Sequence, residues 1–262
     1  MEMIIKSLSF KDYLKDVNCH FTSGLITGVT GISAMYLLDV INGDLPISSG
    51  RMTMASRVIN DNFYRRYPAE IAYIREDYPF FTNKVFDEFI FTAKYRNYQN
   101  DLLKTKIVNL LTLVGLDDDY LYRDIKTLST SEKIALSIAV NIIFDPKVII
   151  FGDIIKYLDK NNLKKLVSII NNLKESGKII IFYSDDVDFI YAHTDVVLIF
   201  KDNTSILFGP TDKVYSSDRA NNIKGIKIPS LVKITYLAKK KKVKLSYHKD
   251  VRDIIKDVYK HV

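Results

Sequence analysis

The sequence predicts an α/β fold, and three observations carry that expectation. Apolar runs of four or five residues recur at 25–29, 148–151, 179–182 and 196–200, and segments with helical spacing lie between them. This alternation builds a sheet covered by helices. A glycine turn, Gly28-Val29-Thr30-Gly31, follows the first run and opens into a helical stretch. The chain has 262 residues, of which 47% are hydrophobic and 12% aromatic, enough for one large core and a small addition.

Taken in order, residues 3–10 and 17–21 read as short strands joined by a turn, and 25–29 as a third. A helix over 34–41 stops at Asn42-Gly43. A Pro46 to Gly50 turn leads into a strand at 51–55, and 71–75 is another strand. From 83 to 115 the pattern is helical, with Ile107, Leu110, Leu111 and Val114 on one face. Residues 134–144 form a buried helix that Asp145-Pro146 breaks. Then come a core strand at 148–151, an amphipathic helix at 161–175 ending at Gly177, and core strands at 179–182 and 196–200. Residues 205–208 make an edge strand and Gly209-Pro210 a turn. A change of character near 221–229 sets off a helical appendix, 226–262, from a main domain over 1–220.

Composition excludes several classes. No apolar stretch approaches the roughly 18–20 residues that span a bilayer, and the N-terminus lacks a signal-peptide core. A single cysteine, Cys19, rules out an intramolecular disulfide and a cysteine-rich metal site. A soluble cytosolic chain is expected. The net charge is +7, with a lysine cluster at 239–242 and 244. Solvated lysine-rich faces account for it; nucleic acid or an anionic membrane surface are the sharper readings, and the cluster has no interleaved aromatics to argue for nucleic acid.

A strand, glycine turn and helix form the skeleton of a phosphate-binding loop, G-x-x-x-x-G-K-[ST], in which backbone N–H groups cradle phosphates, lysine reaches them and a hydroxyl holds Mg²⁺. Here the segment is Gly28-Val29-Thr30-Gly31-Ile32-Ser33-Ala34-Met35. Ser33 stands for the last glycine, Ala34 for the lysine and Met35 for the hydroxyl residue. Alone, such a turn is a structural feature.

Order and spacing downstream add to this. Leu14 to Asn18, Leu37 to Gly43 with Pro46 and Ser49-Gly50, Leu128-Ser129-Thr130-Ser131-Glu132, residues 148–151, Leu158-Asp159, Gly209-Pro210 and the segment from Ile228 to Leu245 succeed one another collinearly. On these residues the chain resembles the ATP-binding-cassette (ABC) ATPases, and within them the ATPase subunits of energy-coupling-factor importers. The resemblance spans nearly the whole chain. It implies a P-loop fold with a mixed sheet core, an antiparallel β edge and a helical subdomain at about 76–145.

The same register implies site positions. Gly28, Thr30, Gly31, Ile32 and Ser33 correspond to the nucleotide loop, and Tyr13 to the adenine-stacking aromatic, although a plain core or surface tyrosine reads equally well. Seven positions before Asp159 of the D-loop, Gly152 replaces the Walker B aspartate and Asp153 the catalytic glutamate. A slip of one, making Asp153 the Walker B acid, would leave Ile154 as the base. Ten before Asp195, Asp185 replaces the switch histidine. The Q-loop glutamine falls on Glu76 or, anchored on Pro79, on Asp77. The signature LSGGQ reads Leu128-Ser129-Thr130-Ser131-Glu132, which is also a capping box opening a helix at Glu132. Asp185, Asp186 and Asp188 read as a solvated loop or, less simply, a cation site. His20 and His193 are isolated and read as packing or surface residues.

Phosphoryl transfer is positioning plus electrostatics, and none of the usual catalytic groups is intact. Three readings follow. The first is a degenerate, non-hydrolysing cassette that pairs head-to-tail with a second cassette, Ser129, Thr130, Ser131, Glu132 and Asp159 facing the partner, and couples to a transmembrane subunit at the cytoplasmic face. In it ATP is at most held without turnover, Mg²⁺ lacks its ligands and no other metal is expected. The second is an active ATPase using cations such as Lys6, Lys15 or Lys126. The third is a non-transport interaction or nucleic-acid-binding protein using the basic tail.

Overall fold

The computed structural model describes residues 1–96, 98 and 101–259. The chain begins with β1 (Glu2–Phe10), β2 (Leu14–Thr22), β3 (Ile26–Thr30) and α1 (Ala34–Asn42). There follow β4 (Ser49–Met54), β5 (Arg57–Val58), α2 (Asp61–Arg66), β6 (Ile71–Ile74), α3 (Val85–Tyr95) and α4 (Leu103–Val114). The second half holds α5 (Thr130–Ile142), β7 (Val148–Phe151), α6 (Lys160–Glu175), β8 (Ile179–Tyr183), α7 (Val187–His193), β9 (Val196–Lys201) and β10 (Thr204–Pro210). Four helices close the chain: α8 (Thr211–Ser216), α9 (Asp218–Asn222), α10 (Ser230–Lys240) and α11 (Val251–Tyr259).

Two sheets result. One is antiparallel, in the order β2-β1-β4-β5; the other runs β10-β9-β3-β8-β7-β6. In the second, β9, β3, β8, β7 and β6 pair in parallel and β10 joins antiparallel at the edge. Strands β3, β7 and β8 are buried at every residue, as expected for a parallel sheet covered on both faces. Side chains alternate across it. Ile149, Phe151, Ile180 and Phe182 pack into a core with α4, α5, α6 and α7. Val148, Ile150, Ile179 and Ile181 pack into a second core with α1 and the antiparallel sheet. The loops at the C-terminal ends of β3, β7 and β8 therefore meet above one sheet edge, where α/β folds place ligand sites.

The structure corrects several boundaries. The helical stretch at 83–115 is two helices, α3 and α4. Helix α5 begins at Thr130 with Ser129 as its cap, not at Glu132. Helices α2, α8 and α9 occupy segments to which the sequence reading assigned no element. The acidic stretch expected to be a solvated loop instead opens α7: Asp186 caps it, accepting from the N–H groups of Asp188 and Phe189 at 3.0 Å each. The C-terminal helices are tied to the rest. Val232 of α10 is fully buried in the larger core. Asp188 accepts from Ser230 N at 2.6 Å and Ser230 Oγ at 2.9 Å. Among the described residues no helix is long and apolar enough to cross a membrane.

Candidate functional site

The loop between β3 and α1 keeps its path but spends its polar groups internally. Gly31 has φ +103°, and a Cβ there would lie 2.4 Å from the Phe200 carbonyl oxygen, so only glycine fits. Gly28 is required for a different reason: a Cβ would meet Ile190 of α7 at 2.7 Å. Its role is helix packing. Ala34, at the lysine position, is fully buried, and its N–H donates to Gly31 O at 2.9 Å. Ser33 is buried, and its hydroxyl donates to the Asp202 carbonyl in the β9–β10 turn, with Asn203 Oδ1 3.3 Å away. Thr30 is buried, while Ile32 is 83% exposed and Met35 50%. The loop thus presents the apolar Met35 where a working loop presents a hydroxyl, and buries Ala34 where it presents a lysine, with Ile32 exposed beside them.

Tyr13 leaves its ring stacked on Tyr36, 4.3 Å between centroids, and Tyr36 sits in the first turn of α1. Phe10 extends the group at 6.0 Å from Tyr13. The aromatic expected to stack on adenine is therefore stacked on its own chain.

The widely separated positions implied by the register converge. A cleft of about 230 Å³ is lined by Met35, Asp39, Tyr73, Arg75, Glu76, Asp77, Gly152, Asp153, Lys156, Tyr183 and Asp185. Five of these are carboxylates and two are cations. Asp153 is already committed: Oδ1 accepts from Ser184 Oγ at 2.9 Å, and Oδ2 lies 3.4 Å from Lys156 Nζ. Arg75 is shared by Asp77 at 3.1 Å, Asp44 at 3.7 Å and Asp39 at 3.9 Å. Burial, with Asp44 adding, holds the Asp39 carboxyl above its ordinary value despite Arg75. Burial, then Asp185 and Asp153, likewise pushes the Tyr183 phenol up. Glu76 accepts from Tyr157 OH at 3.4 Å. Such a cleft repels a polyphosphate more than it attracts one.

The residues at the usual magnesium-ligand positions are replaced. Gly152 offers no carboxylate, Met35 no hydroxyl, and both Asp153 oxygens are engaged. Among the described residues no three of the carboxylates, histidines or the cysteine group closely enough to hold a metal ion.

The signature segment and the D-loop serve as helix caps. Ser129 N donates to Glu132 Oε2 at 2.7 Å and Glu132 N to Ser129 Oγ at 3.3 Å, a complete capping box. Tyr120 OH adds a bond to the other Glu132 oxygen, and these bonds hold the Glu132 carboxyl below its ordinary value. Ser129 and Thr130 are exposed, and Ser131 and Glu132 partly so. Asp159 is exposed and caps α6, accepting from Asn161 N and Asn162 N at 2.8 Å.

Five cleft residues were not anticipated: Asp39, Tyr73, Arg75, Lys156 and Tyr183. Arg75 and Lys156 are the cations that line it, rather than Lys6, Lys15 or Lys126. Lys15 instead lies 3.8 Å from Asp12. Arg75 could have been found from the sequence, because it directly precedes the Q-loop position Glu76 at the end of β6. His193 packs on Phe189 and His20 on Phe208.

Comparison with known proteins accords with this layout. The ABC transporter family model matches residues 14–154. The energy-coupling factor transporter ATP-binding protein EcfA3 of Oenococcus oeni is 21% identical over 260 residues, covering 94% of this chain and 89% of its own. EcfA2 of Thermotoga maritima is 28% identical over 204 residues, 76% of each chain. The structure of cbiO1 from Clostridium perfringens, part of the ABC transporter complex cbiONQ, superposes with a TM-score of 0.72 at 22% identity, covering 90% of this chain and 98% of that one. With more than half of the chain matched, and the matched segment carrying the glycine loop, Glu76, the signature segment and Gly152, the protein belongs to the ABC transporter ATP-binding family and is related to the energy-coupling-factor ATPase subunits.

Proposed function

We propose that this chain is a non-hydrolysing cassette subunit that acts through its fold, pairing with a second cassette and docking on a membrane component. Membership of the family implies a nucleotide-binding domain. One observation supports loss of turnover above the others: the cleft that gathers the catalytic positions holds Met35, Gly152, Asp153 and Asp185, with Ala34 buried beside Met35 in the first turn of α1. Phosphoryl transfer needs charge stabilisation of the γ-phosphate and an oriented water. Here the lysine, both magnesium ligands and the histidine are missing, and Asp153, at the base position, is bonded to Ser184 and Lys156.

Exposure of the segments that correspond to the family's assembly surfaces supports the pairing. Ser129, Thr130 and Asp159 remain solvent-facing on capped helices. The segment after Glu76 presents Phe81, 64% exposed and stacked on Phe91 at 5.2 Å, with Tyr95 74% exposed further along α3. Exposed aromatics gathered on α3 and the loop before it are the kind of patch that serves in docking. They support a transmembrane coupling subunit as the partner.

The test is purified chain with labelled ATP and Mg²⁺. No turnover above a no-protein control is expected; measurable hydrolysis sinks the reading. A second reading, hydrolysis assisted by unconventional cations, has one observation in its favour, the presence of Arg75 and Lys156 in the cleft. Turnover that disappears in Arg75→Ala or Lys156→Ala would establish it.

A further inference from the structure

Charge is distributed very unevenly along this chain. From Arg219 to Lys249 there are ten lysines and arginines and not one aspartate or glutamate. Ten exceeds the whole-chain net charge of +7, so the remainder of the protein is net negative. The basic stretch contains α10 and the turn after it. Lys233, Lys239 to Lys242 and Lys244 are all exposed.

The same stretch exposes aliphatic side chains. Ile234, Leu237 and Val243 are 52%, 51% and 50% exposed. On α10, residues step about 100° around the axis, which puts Lys233, Ile234, Leu237, Lys240 and Lys241 on one side. Val232 and Thr235, the buried pair, lie on the other side and seat the helix on the core. Leu237 is the centre of the outward face and lysines ring it. Two of the tail's lysines also sit over rings: Lys239 Nζ is 4.0 Å from the Tyr247 centroid and Lys240 Nζ 4.7 Å from that of Tyr236. The basic cluster is therefore not without aromatics, although these rings are covered by cations and not free to stack on bases.

We propose that the outward face of α10 and the lysine turn after it form a binding surface for an anionic phospholipid bilayer. Two observations select this occupant. Complementarity of charge favours an extended anionic partner, because Lys233, Lys239 to Lys242 and Lys244 are exposed together, while the carboxylates that reach the stretch, Asp188 and Asp257, bond Ser230, Ser246 and His248. Half-exposed aliphatics at the centre of the lysine ring gain nothing against a nucleic-acid backbone, but they bury at the headgroup–acyl boundary while lysines reach the phosphates. A second copy of this chain is disfavoured there, since two like-charged faces repel. The surface lies apart from the cleft and stands whether or not the chain hydrolyses ATP.

The experiment is co-sedimentation of the full chain with vesicles of phosphatidylglycerol and phosphatidylcholine in equal parts, and with vesicles of phosphatidylcholine alone. Binding to the anionic vesicles only, weakening as salt is raised, is expected. Each lysine near such a surface contributes about five-fold, so replacing Lys239, Lys240, Lys241 and Lys242 by Gln should cost on the order of 100-fold or more. Ile234→Gln with Leu237→Gln should weaken partition on the order of ten-fold and leave the salt dependence unchanged. The salt series on the unaltered chain needs no variant to fold. Equal binding to both vesicles, no binding to either, or tighter binding of DNA or RNA than of anionic vesicles at the same salt would each overturn the proposal.

Discussion

Replacing Glu88 by alanine removes the acceptor that holds the turn before α3. Glu88 is fully buried, and one oxygen accepts from Phe81 N at 3.0 Å, Thr82 N at 2.9 Å and Thr82 Oγ1 at 3.0 Å. Charge-assisted bonds of this kind are each worth about 1.5–3 kcal/mol when fully desolvated. Phe81 is exposed and Thr82 partly so, so water recovers much of the loss. A net cost of about 3 kcal/mol follows for Glu88→Ala, equivalent to a Tm lower by about 6–12 °C for a domain of this size. Glu88→Gln keeps one acceptor oxygen but sets an amide donor where the second carboxylate oxygen has no partner, and should cost about half as much. Burial, outweighing the three bonds, holds the Glu88 carboxyl above its ordinary value. The folded state therefore binds the proton more tightly than the unfolded state. The group's contribution is largest below the unfolded-state value and falls as pH rises through the interval up to the folded one. Urea unfolding at several pH values measures both effects, and the Gln variant should flatten that part of the pH dependence. Glu88→Ala within about 0.5 kcal/mol of the parent, the ordinary range for an uninvolved surface site, would refute the reasoning. The turn presents Phe81, so the variant should also weaken capture of a membrane coupling subunit.

Other substitutions follow from the same geometry. Ser129→Ala breaks the capping box and should destabilise by about 1 kcal/mol in urea. Gly31→Ala combines a positive φ with a Cβ 2.4 Å from a carbonyl oxygen and should cost more than about 2 kcal/mol. Gly152→Ala, whose nearest neighbour would be at 3.5 Å, should be neutral or stabilising by up to about 1 kcal/mol; thermal unfolding of the two variants side by side checks both. Tyr13→Ala loses its stack on Tyr36 and should cost about 1 kcal/mol by the same measurement.

The framework was legible because it rests on local chemistry. Asn42-Gly43 ends α1 with Gly43 at φ +87°, and the strands alternate between two cores as their apolar runs require. The register implied by the family resemblance named Met35, Gly152, Asp153, Asp185 and Glu76, and these five line one cleft. How the polar groups of the glycine loop and the cleft are paired was not legible. Ser33 reaches Asp202 across 169 positions, and Ser184 reaches Asp153 across 31; no local pattern encodes either bond. Helix α7 is different. Asp186, with Asp188 two residues later and Val187 and Ile190 on the buried side, carries an N-cap pattern that the acidic composition masked.

The central claim is that the chain does not turn over ATP. Release of labelled phosphate from ATP, measured with the purified full chain and Mg²⁺ beside a no-protein control, addresses it directly. The account predicts release indistinguishable from the control at every protein concentration. Release that scales with protein, and that is lost when Asp153 or Arg75 is replaced, would contradict it.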